Sequence, residues 1–477
     1  MPNAAWQTSA ASRWEADVGD RWSAAAAGRP EGQWLTTVPW DELPVVDLTG
    51  LADRFDRIVV LSAHPDDETL GLGATLAALA ATGPAIEVVV ATRGEASHPH
   101  SPCISRAGLA EVRGDELTAA LDELGLAPAE HWGLPDGRLG EADTNLALQA
   151  LVDDLLQRHR HERLLLAAPW SHDGHADHDA LGWVAQAAAD DAAVACVSYP
   201  VWLWHWGTDE DLPVADLVLS CPGAEALHRR ARALDCFESQ HTPFGRAPGA
   251  GPVLTSQARQ RAARVAEVLI DPDGVLPHRR VPGAVAPGEF DAMFEHGDDP
   301  WHVETSWYEA RRQALVEAIL PHETLGRVLD LGCSTGRLTA ALAARAREVV
   351  AVDHSAEALR VARDRHITNV EWRQGSLSSV LPELEGPFDL VVLSEVGYFL
   401  DGAALLATLS AVTSLLEADG TVLAAHWRRP TREIPLDGRL VEAQVDSLWP
   451  TTARYTDDDV TITLSAPHRP VAPRGGL

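Results

Sequence analysis

The sequence predicts two α/β domains in tandem, each built on a parallel sheet. Three observations carry this reading. Short apolar runs alternate with stretches of helical length, two such successions are separated by a Pro- and Gly-rich segment, and 477 residues suit roughly two to four domains. The runs are continuously apolar rather than alternating, as strands covered on both faces of a parallel sheet require.

In the first unit the runs at about 57 to 63 (RIVVLSA), 86 to 92 (IEVVVAT), 163 to 168 (RLLLAA) and 194 to 199 (VACVSY) read as strands. Helices are expected between them at about 69 to 82, ended by Gly83, at 106 to 124, ended by Gly125, and at 143 to 160. The second unit repeats the rhythm: helix 303 to 319, strand 326 to 331, helix 336 to 346, strand 348 to 353, helix 355 to 365, strand 388 to 394, helix 402 to 416, strand 420 to 426. Between the units, residues 271 to 300 contain DPDG, LPHRRVPG and APGE, a spacing that regular elements do not tolerate. The boundary is placed there, giving domains at 55 to 295 and 296 to 477. Residues 1 to 54 scatter Trp6, Trp14, Trp22, Trp34 and Trp40 among Ala, Gly and Pro. Five indoles are too apolar for a free tail, so a strap packed on the first domain is expected.

Seventy acids against 38 basic residues give a net charge of −32, and all 38 are Arg. Without Lys there is no Schiff-base or pyridoxal-phosphate lysine and no P-loop lysine. The acidity also disfavours nucleic acid and anionic lipid, leaving small molecules or glycans as partners. Residues 1 to 300 carry 46 acids and 21 Arg, net −25, and the remainder 24 and 17, net −7. Hydrophobic residues at 46% and charged residues at 23% describe a soluble globular protein. No apolar run approaches the roughly 18 residues of a membrane helix. The start MPNAAWQTSA has neither a basic nor an apolar signal region, so a cytoplasmic location is expected. Oligomeric state is not legible. Cys103, Cys196, Cys221, Cys236 and Cys333 are odd in number and form no CxxC pair, so each is expected to be a small core residue.

The first strand runs into His64-Pro65-Asp66-Asp67-Glu68, and the strand at 163 to 168 runs into Ala168-Pro169-Trp170-Ser171-His172-Asp173-Gly174-His175-Ala176-Asp177-His178. Both clusters fall at carboxyl ends of parallel strands, where open α/β sheets bind ligands. Imidazoles with one carboxylate can hold Zn²⁺ or another divalent metal with a position open for water, whose pKa the metal lowers. A neighbouring carboxylate can then take its proton. The plain alternative for each cluster alone is a helix N-cap with solvated histidines.

These residues resemble the PIG-L deacetylase family, which takes its name from N-acetylglucosaminyl-phosphatidylinositol deacetylation and includes mycothiol-pathway deacetylases. The resemblance covers roughly residues 55 to 270 and rests on AHPDDETLG, TRGE at 92 to 95, Arg113 with Glu116, LPDG at 134 to 137, GHADH at 174 to 178 and ESQ at 238 to 240. It implies His64, Asp67 and His178 as metal ligands and Asp66 as general base. It further implies His175 as the group that stabilises the oxyanion or protonates the leaving amine, with Asp177 as its orienting partner. Arg93, Arg113 and Asp136 carry over as substrate-side or structural groups.

In the second unit, Asp330 precedes Gly332-Cys333-Ser334-Thr335-Gly336, and Asp353 ends the next strand 23 residues after Asp330. The glycines permit a tight turn against a nucleoside, and an acid at Asp353 can take both ribose hydroxyls. A nicotinamide dinucleotide uses similar geometry. The absence of the third glycine of GxGxxG and the acid within the first strand favour S-adenosylmethionine. The unit resembles class I methyltransferases, which have Rossmann-like folds, and more closely the nodulation-type N-methyltransferases that act on the free amine of a chitooligosaccharide. The resemblance spans about residues 298 to 427, through DDPWHVETSWYEARR, VLDLGCSTGRLTAAL, VVAVDHS, FDLVVLSEVGYFL and AAHWR. It implies two Rossmann-like domains in the whole chain, and it puts Ser334 in place of a middle glycine and Ser376 where an Asp often meets the adenine amine. Trp301, Tyr308, Glu395 and His426 fall where the family builds its acceptor pocket; each could equally be core packing.

An amide nitrogen is a poor nucleophile because its lone pair is delocalised into the carbonyl. Deacetylation of an N-acetyl amino sugar followed by methylation of the freed amine is therefore a chemically ordered pair, with Glu395 or His426 as base. The alternatives are methyl transfer to oxygen elsewhere in the same pathway, and a metal-binding scaffold without turnover.

Overall fold

A computed structural model describes residues 28–81, 83–247, 249–279, 287–294, 297, 299–429 and 434–468. Nine strands form the first sheet: β1 (Val45–Val46), β2 (Arg57–Ser62), β3 (Ala85–Thr92), β4 (Glu130–Leu134), β5 (Leu164–Pro169), β6 (Ala195–Tyr199), β7 (Leu217–Ser220), β8 (Glu267–Ile270) and β9 (His278–Arg279), in the order β4-β3-β2-β5-β6-β8-β7-β1-β9. Seven form the second: β10 (Leu325–Leu331), β11 (Ala346–Asp353), β12 (Val370–Gln374), β13 (Phe388–Ser394), β14 (Leu416–Trp427), β15 (Thr451–Thr456) and β16 (Val460–Ser465), in the order β12-β11-β10-β13-β14-β16-β15.

Each sheet is parallel through five consecutive strands, β4 to β6 and β12 to β14. Each then turns mixed, with β8 antiparallel to β6 and β7 and with β16 antiparallel to β14 and β15. The purely parallel expectation thus holds for the strands that carry the motifs. These are the strands read from the sequence: β2, β5, β10 and β13 are buried along most of their length, so no solvent face imposes alternation. β4 and β12 are edge strands with alternating exposure and only a central Trp to mark them, which is why their apolar signal is weak. Element ends differ from expectation by a few residues. The helix expected from 303 begins at Trp307, behind a turn in which His302 takes a φ of 55°.

Two expectations need correction. The Pro/Gly-rich segment is not free of regular structure: Val45 and Val46 of β1 pair antiparallel with Arg279 and His278 of β9, and Pro287–Phe294 is a helix, since Pro is tolerated in a first turn. The strap packs on both units rather than on the first alone. Trp34 and Trp40 are buried, and one apolar cluster joins Trp34 and Trp204 through Val265 to Leu405, Val441 and Trp449. The helix Glu31–Thr37 lies against the helices Gly402–Leu415 and Gly438–Leu448. Burying so large an indole needs surface from both sides, and Trp34 Nε1 finds a partner at 2.8 Å in the carbonyl of Trp204. Polar contacts also cross between the units. The Val265 amide donates to Gln444 Oε1 at 3.0 Å, and Arg279 Nη2 donates to Asp401 Oδ2 at 2.8 Å. Trp6, Trp14 and Trp22 lie outside the described residues. All five cysteines are free; Cys196 and Cys333 are buried as expected, whereas Cys103 is exposed. Among the described residues no helix is long and apolar enough to cross a membrane.

Candidate functional sites at two sheet edges

The order β3-β2-β5-β6 reverses direction between β2 and β5, so the crevice beyond their carboxyl ends is a topological switch point. HPDDE follows β2 and HDGHADH follows β5, and the structure brings the two together. His178 Nε2 lies 3.3 Å from His64 Nδ1 and 3.2 Å from Asp67 Oδ1, and His64 Nδ1 lies 3.5 Å from Asp67 Oδ2. Four ligands about 2.0–2.1 Å from a tetrahedral ion are separated by about 3.3 Å, close to the separations here, with the two oxygens of Asp67 facing one histidine each. His64, His175 and His178 each offer a nitrogen within 4.8 Å of the others, and His64 forms a second such group with Asp136 and Asp177.

Neighbouring groups fix which nitrogen each imidazole turns inward. Asp173 Oδ2 lies 2.8 Å from His178 Nδ1, so that nitrogen carries a proton and Nε2 is the one turned toward His64 and Asp67. His64 Nε2 is 3.2 Å from Asp136 Oδ1 and 3.2 Å from Asp177 Oδ2, which leaves Nδ1 for the triangle. Burial works against a charge on His178, yet the Asp67 and Asp173 carboxylates hold it up to about 10. Burial would also raise Asp67, but His178 and His64 keep it well below the carboxylate range. Positive charge is stabilised at this spot.

Asp66 sits at the start of the helix Asp67–Leu79 with a φ of 131°, a region costly for a residue with a side chain. Arg113 holds it there: Nη2 lies 3.0 Å from Asp66 Oδ2 and donates to the Pro65 carbonyl at 2.5 Å, while Nη1 donates to the Gly94 carbonyl at 3.2 Å. Gly94 has a φ of 64°, and a Cβ there would stand 2.1 Å from Arg113 Nη1. The TRGE glycine therefore makes room for the arginine. Burial pushes the Asp66 carboxyl up to about 7, against the pull of Arg113. Glu116 accepts from the Ser239 amide at 2.6 Å and from its hydroxyl at 2.7 Å, so the arginine's own helix is pinned to the ESQ segment.

His175 is pushed down to about 3, by burial and then by the charges of His64 and His178. Its Nδ1 accepts from the Asp177 backbone amide at 3.3 Å, which leaves the proton of the neutral ring on Nε2. The Asp177 carboxylate does not orient this ring as expected. It accepts from the amides of Gly137 at 2.7 Å and Leu139 at 2.9 Å and faces His64, because Asp177 points into the LPDG turn. Asp136 of that turn accepts from the Ala96 amide at 2.6 Å, and Arg93 is exposed after β3. Two supporting residues escaped the sequence reading. Asp173, inside the second cluster, also accepts from the amides of Val201, Trp202 and Leu203 at 2.9 Å each. Trp202 stacks on His175 with ring centres 6.2 Å apart, and nothing in its own sequence surroundings marks it.

The second switch point lies between β10 and β13. Gly332, Ser334 and Gly336 take φ of 73°, 47° and 74°, a run of left-handed residues that brings the backbone close to a ligand. A Cβ at Gly336 would stand 2.7 Å from the Trp372 ring, so that glycine is required twice over. Asp353 accepts from the amides of Ser334 at 2.7 Å and Ser355 at 2.9 Å, leaving two of its roughly four lone-pair directions for ribose hydroxyls. Asp330 accepts from Thr339 Oγ1 at 2.6 Å, and burial pushes it up to about 6. Ser334 Oγ, Thr335 Oγ1 and His354 Nε2 are buried without hydrogen-bond partners. Three such atoms on the loops after β10 and β11 fit a polar nucleoside as their missing partner. Ser376 caps the short helix Leu377–Val380 by accepting from the Ser379 amide at 3.2 Å, so its oxygen is engaged.

On the acceptor side, Glu395 takes a φ of 58° and receives the hydroxyls of Tyr308, at 2.8 Å, and Tyr398. Arg312, behind it, donates to Ser394 Oγ and to Glu309 Oε2. Tyr308 packs edge-on to Trp427, and Trp301 is partly exposed beside Phe290 and Phe294. His426 is fully buried, with Nδ1 3.0 Å from Glu442 Oε1 and Nε2 lacking a partner. Tyr398 and Arg312 lie inside motifs already quoted, whereas Glu442 follows no motif.

Residues 59–189 match the family model described as PIG-L: GlcNAc-PI de-N-acetylase, and residues 328–420 match Methyltransf_25: Methyltransferase domain. Nodulation protein S of Azorhizobium caulinodans is 30% identical over 125 residues, 26% of this chain and 59% of that protein. The 1D-myo-inositol 2-acetamido-2-deoxy-alpha-D-glucopyranoside deacetylase of Kineococcus radiotolerans is 37% identical over 123 residues, 24% of this chain and 34% of that protein. The chain thus spans less than two thirds of either relative. The N-methyltransferase NodS of Bradyrhizobium japonicum, solved with S-adenosyl-L-homocysteine, superposes with a TM-score of 0.35 at 19% identity, covering 38% of this chain and 99% of that one.

Proposed function

Starting from a chain that carries a PIG-L deacetylase domain followed by a methyltransferase domain, we propose that it removes the acetyl group of an N-acetyl amino sugar and then methylates the freed amine. The observation that carries the first half is the convergence of His64, Asp67 and His178 beside an Asp66 that Arg113 aims. Those three would hold a divalent cation such as zinc, which would supply a water of lowered pKa and polarise the amide carbonyl. Asp66 takes the proton of the attacking water. The Nε2 proton of His175 meets the oxygen as it gains charge, and the rigid Trp202 stack keeps the ring in place. Asp136 and Asp177 hold His64 in register, and Arg93 faces the sugar. The PIG-L match, residues 59–189, supports placing the metal domain within 55 to 295.

The second half uses S-adenosylmethionine, which supplies an electrophilic methyl. Asp353 holds the ribose, the Gly332 to Gly336 turn approaches the donor's backbone-facing side, and Asp330 braces the turn through Thr339. Ser376 is the residue nearest in sequence for the adenine amine. Glu395, set by Tyr308 and Tyr398, accepts a proton or hydrogen bond from the amine, with Trp301 and His426 as pocket walls. Tethering both sites to one chain raises the local concentration of the amine at the second. Five free cysteines fit a reducing, cytoplasmic setting.

The test is mass spectrometry of an N-acetylated amino sugar incubated with the full chain and S-adenosylmethionine. Loss of an acetyl followed by gain of a methyl, with no methylation of the intact amide, is expected. Methylation that precedes deacetylation overturns the order and favours an O-methyltransferase.

A further inference from the structure

Behind the metal-type rim lies a cavity of about 50 Å³, room for a few waters or one small anion. Its walls include Leu70 and Gly71, one turn down the helix that starts at Asp67, and Trp202, whose ring stacks on His175. The remaining walls are mostly apolar, and their charged groups are three guanidiniums and the Glu267 carboxylate. Arg230, Arg261 and Arg264 all line it, in a chain of net charge −32.

Two of these arginines are matched. Arg264 pairs with Glu31, with Nη2 2.9 Å from Oε2, and Arg230 Nη1 pairs with Glu267 Oε1 at 3.1 Å. Arg261 is not. Its Nη1 donates to the Arg29 carbonyl at 3.1 Å and its Nη2 lies 2.7 Å from His205 Nδ1, and neither is a carboxylate. Burial pushes its guanidinium down only to about 10, so it is a cation at neutral pH. Among the described residues, three guanidinium groups therefore face two carboxylates, and Arg230 Nε is buried without a partner. A buried excess charge and an unused N–H together call for an anion.

We propose that this cavity binds the small carboxylate produced at the adjoining site, acetate, with Arg261 as its counter-charge. The proposal rests on the deacetylase reading. Hydrolysis of R–NH–CO–CH₃ by one water breaks the C–N bond, gives the nitrogen a proton and leaves R–NH₂ and acetic acid, which ionises to acetate. A holding site behind Trp202 clears the acetate past His175 without requiring the sugar amine to leave first.

Titration calorimetry of the metal-loaded full chain with sodium acetate tests this. Acetate should bind the unaltered chain, Arg261→Gln should weaken it by about ten-fold or more, and Ala258→Phe, which fills the cavity from its wall, should abolish it. Metal content serves as the control for both variants. Equal binding in all three, or binding lost on stripping the metal but insensitive to both substitutions, places acetate on the cation and overturns the proposal, as does no binding at all. Arg261-dependent binding in a chain that deacetylates no amino sugar supports the cavity and overturns the deacetylase reading instead.

Discussion

At the metal-type rim the two candidate histidine ligands and the candidate base are each fixed by another residue, whereas at the nucleoside-type rim several buried polar atoms have no partner. His178 is set by Asp173, His64 by Asp136 and Asp177, and Asp66 by Arg113. Ser334 Oγ, Thr335 Oγ1 and His354 Nε2 stand open. The same scaffold, a parallel sheet with a reversal of strand order, supports both. The difference follows from ligand size. A single ion is held by few bonds whose directions must be set beforehand, while a nucleoside brings many hydrogen-bonding groups and completes the shell itself.

The comparison breaks most sharply at Asp66. Asp66→Asn keeps the size and the contact with Arg113 but removes the base, so acetate release should fall by about 100- to 10,000-fold with bound metal unchanged. Binding of S-adenosylhomocysteine should not move. Acetate assays, metal analysis and calorimetry on one preparation check all three, and a rate within a few-fold of the unaltered chain rejects Asp66 as base.

The next largest effect concerns what joins the rims. Trp34 touches both units, so Trp34→Ala should cost about 3 to 5 kcal/mol and lower the transition of both domains together in scanning calorimetry. If only the first unit melts earlier, the strap belongs to it alone, as the sequence suggested. That misreading has a physical source. The five indoles of the strap signalled burial, but an aperiodic segment does not say against what, and the answer lies in Leu405, Val441 and Trp449, far along the chain. The central strands and both switch-point clusters were legible because full burial and motif spacing are local properties. Asp173's hold on His178 depends on how one loop folds back on itself over five residues, and the Glu442 partner of His426 on where the helix Gly438–Leu448 packs against β14. Asp177 shows the reverse hazard: motif spacing suggested a bond to His175, and the LPDG turn captured its carboxylate instead.

At the open rim, Asp353→Ala should weaken S-adenosylhomocysteine by about 10- to 100-fold, the scale of one or two charge-assisted hydrogen bonds, and leave deacetylation intact. Calorimetry reads the first and acetate release the second. Loss of both would mean that the rims are coupled through their shared core, and the contrast between them would then be one of degree.

The smallest effect sharpens the idea that the second rim is left incomplete for its ligand. Ser376 spends its oxygen on the Ser379 amide, so it has little to offer an adenine amine. Asp caps a helix about as well as Ser and has a second carboxylate oxygen free. Ser376→Asp should therefore preserve the helix Leu377–Val380 and tighten S-adenosylhomocysteine by about 2- to 10-fold, the net worth of one added hydrogen bond. Weaker binding, measured by the same calorimetry, would put the adenine elsewhere, because a carboxylate facing an exocyclic amine can only add an acceptor, whereas one facing the ring nitrogens repels.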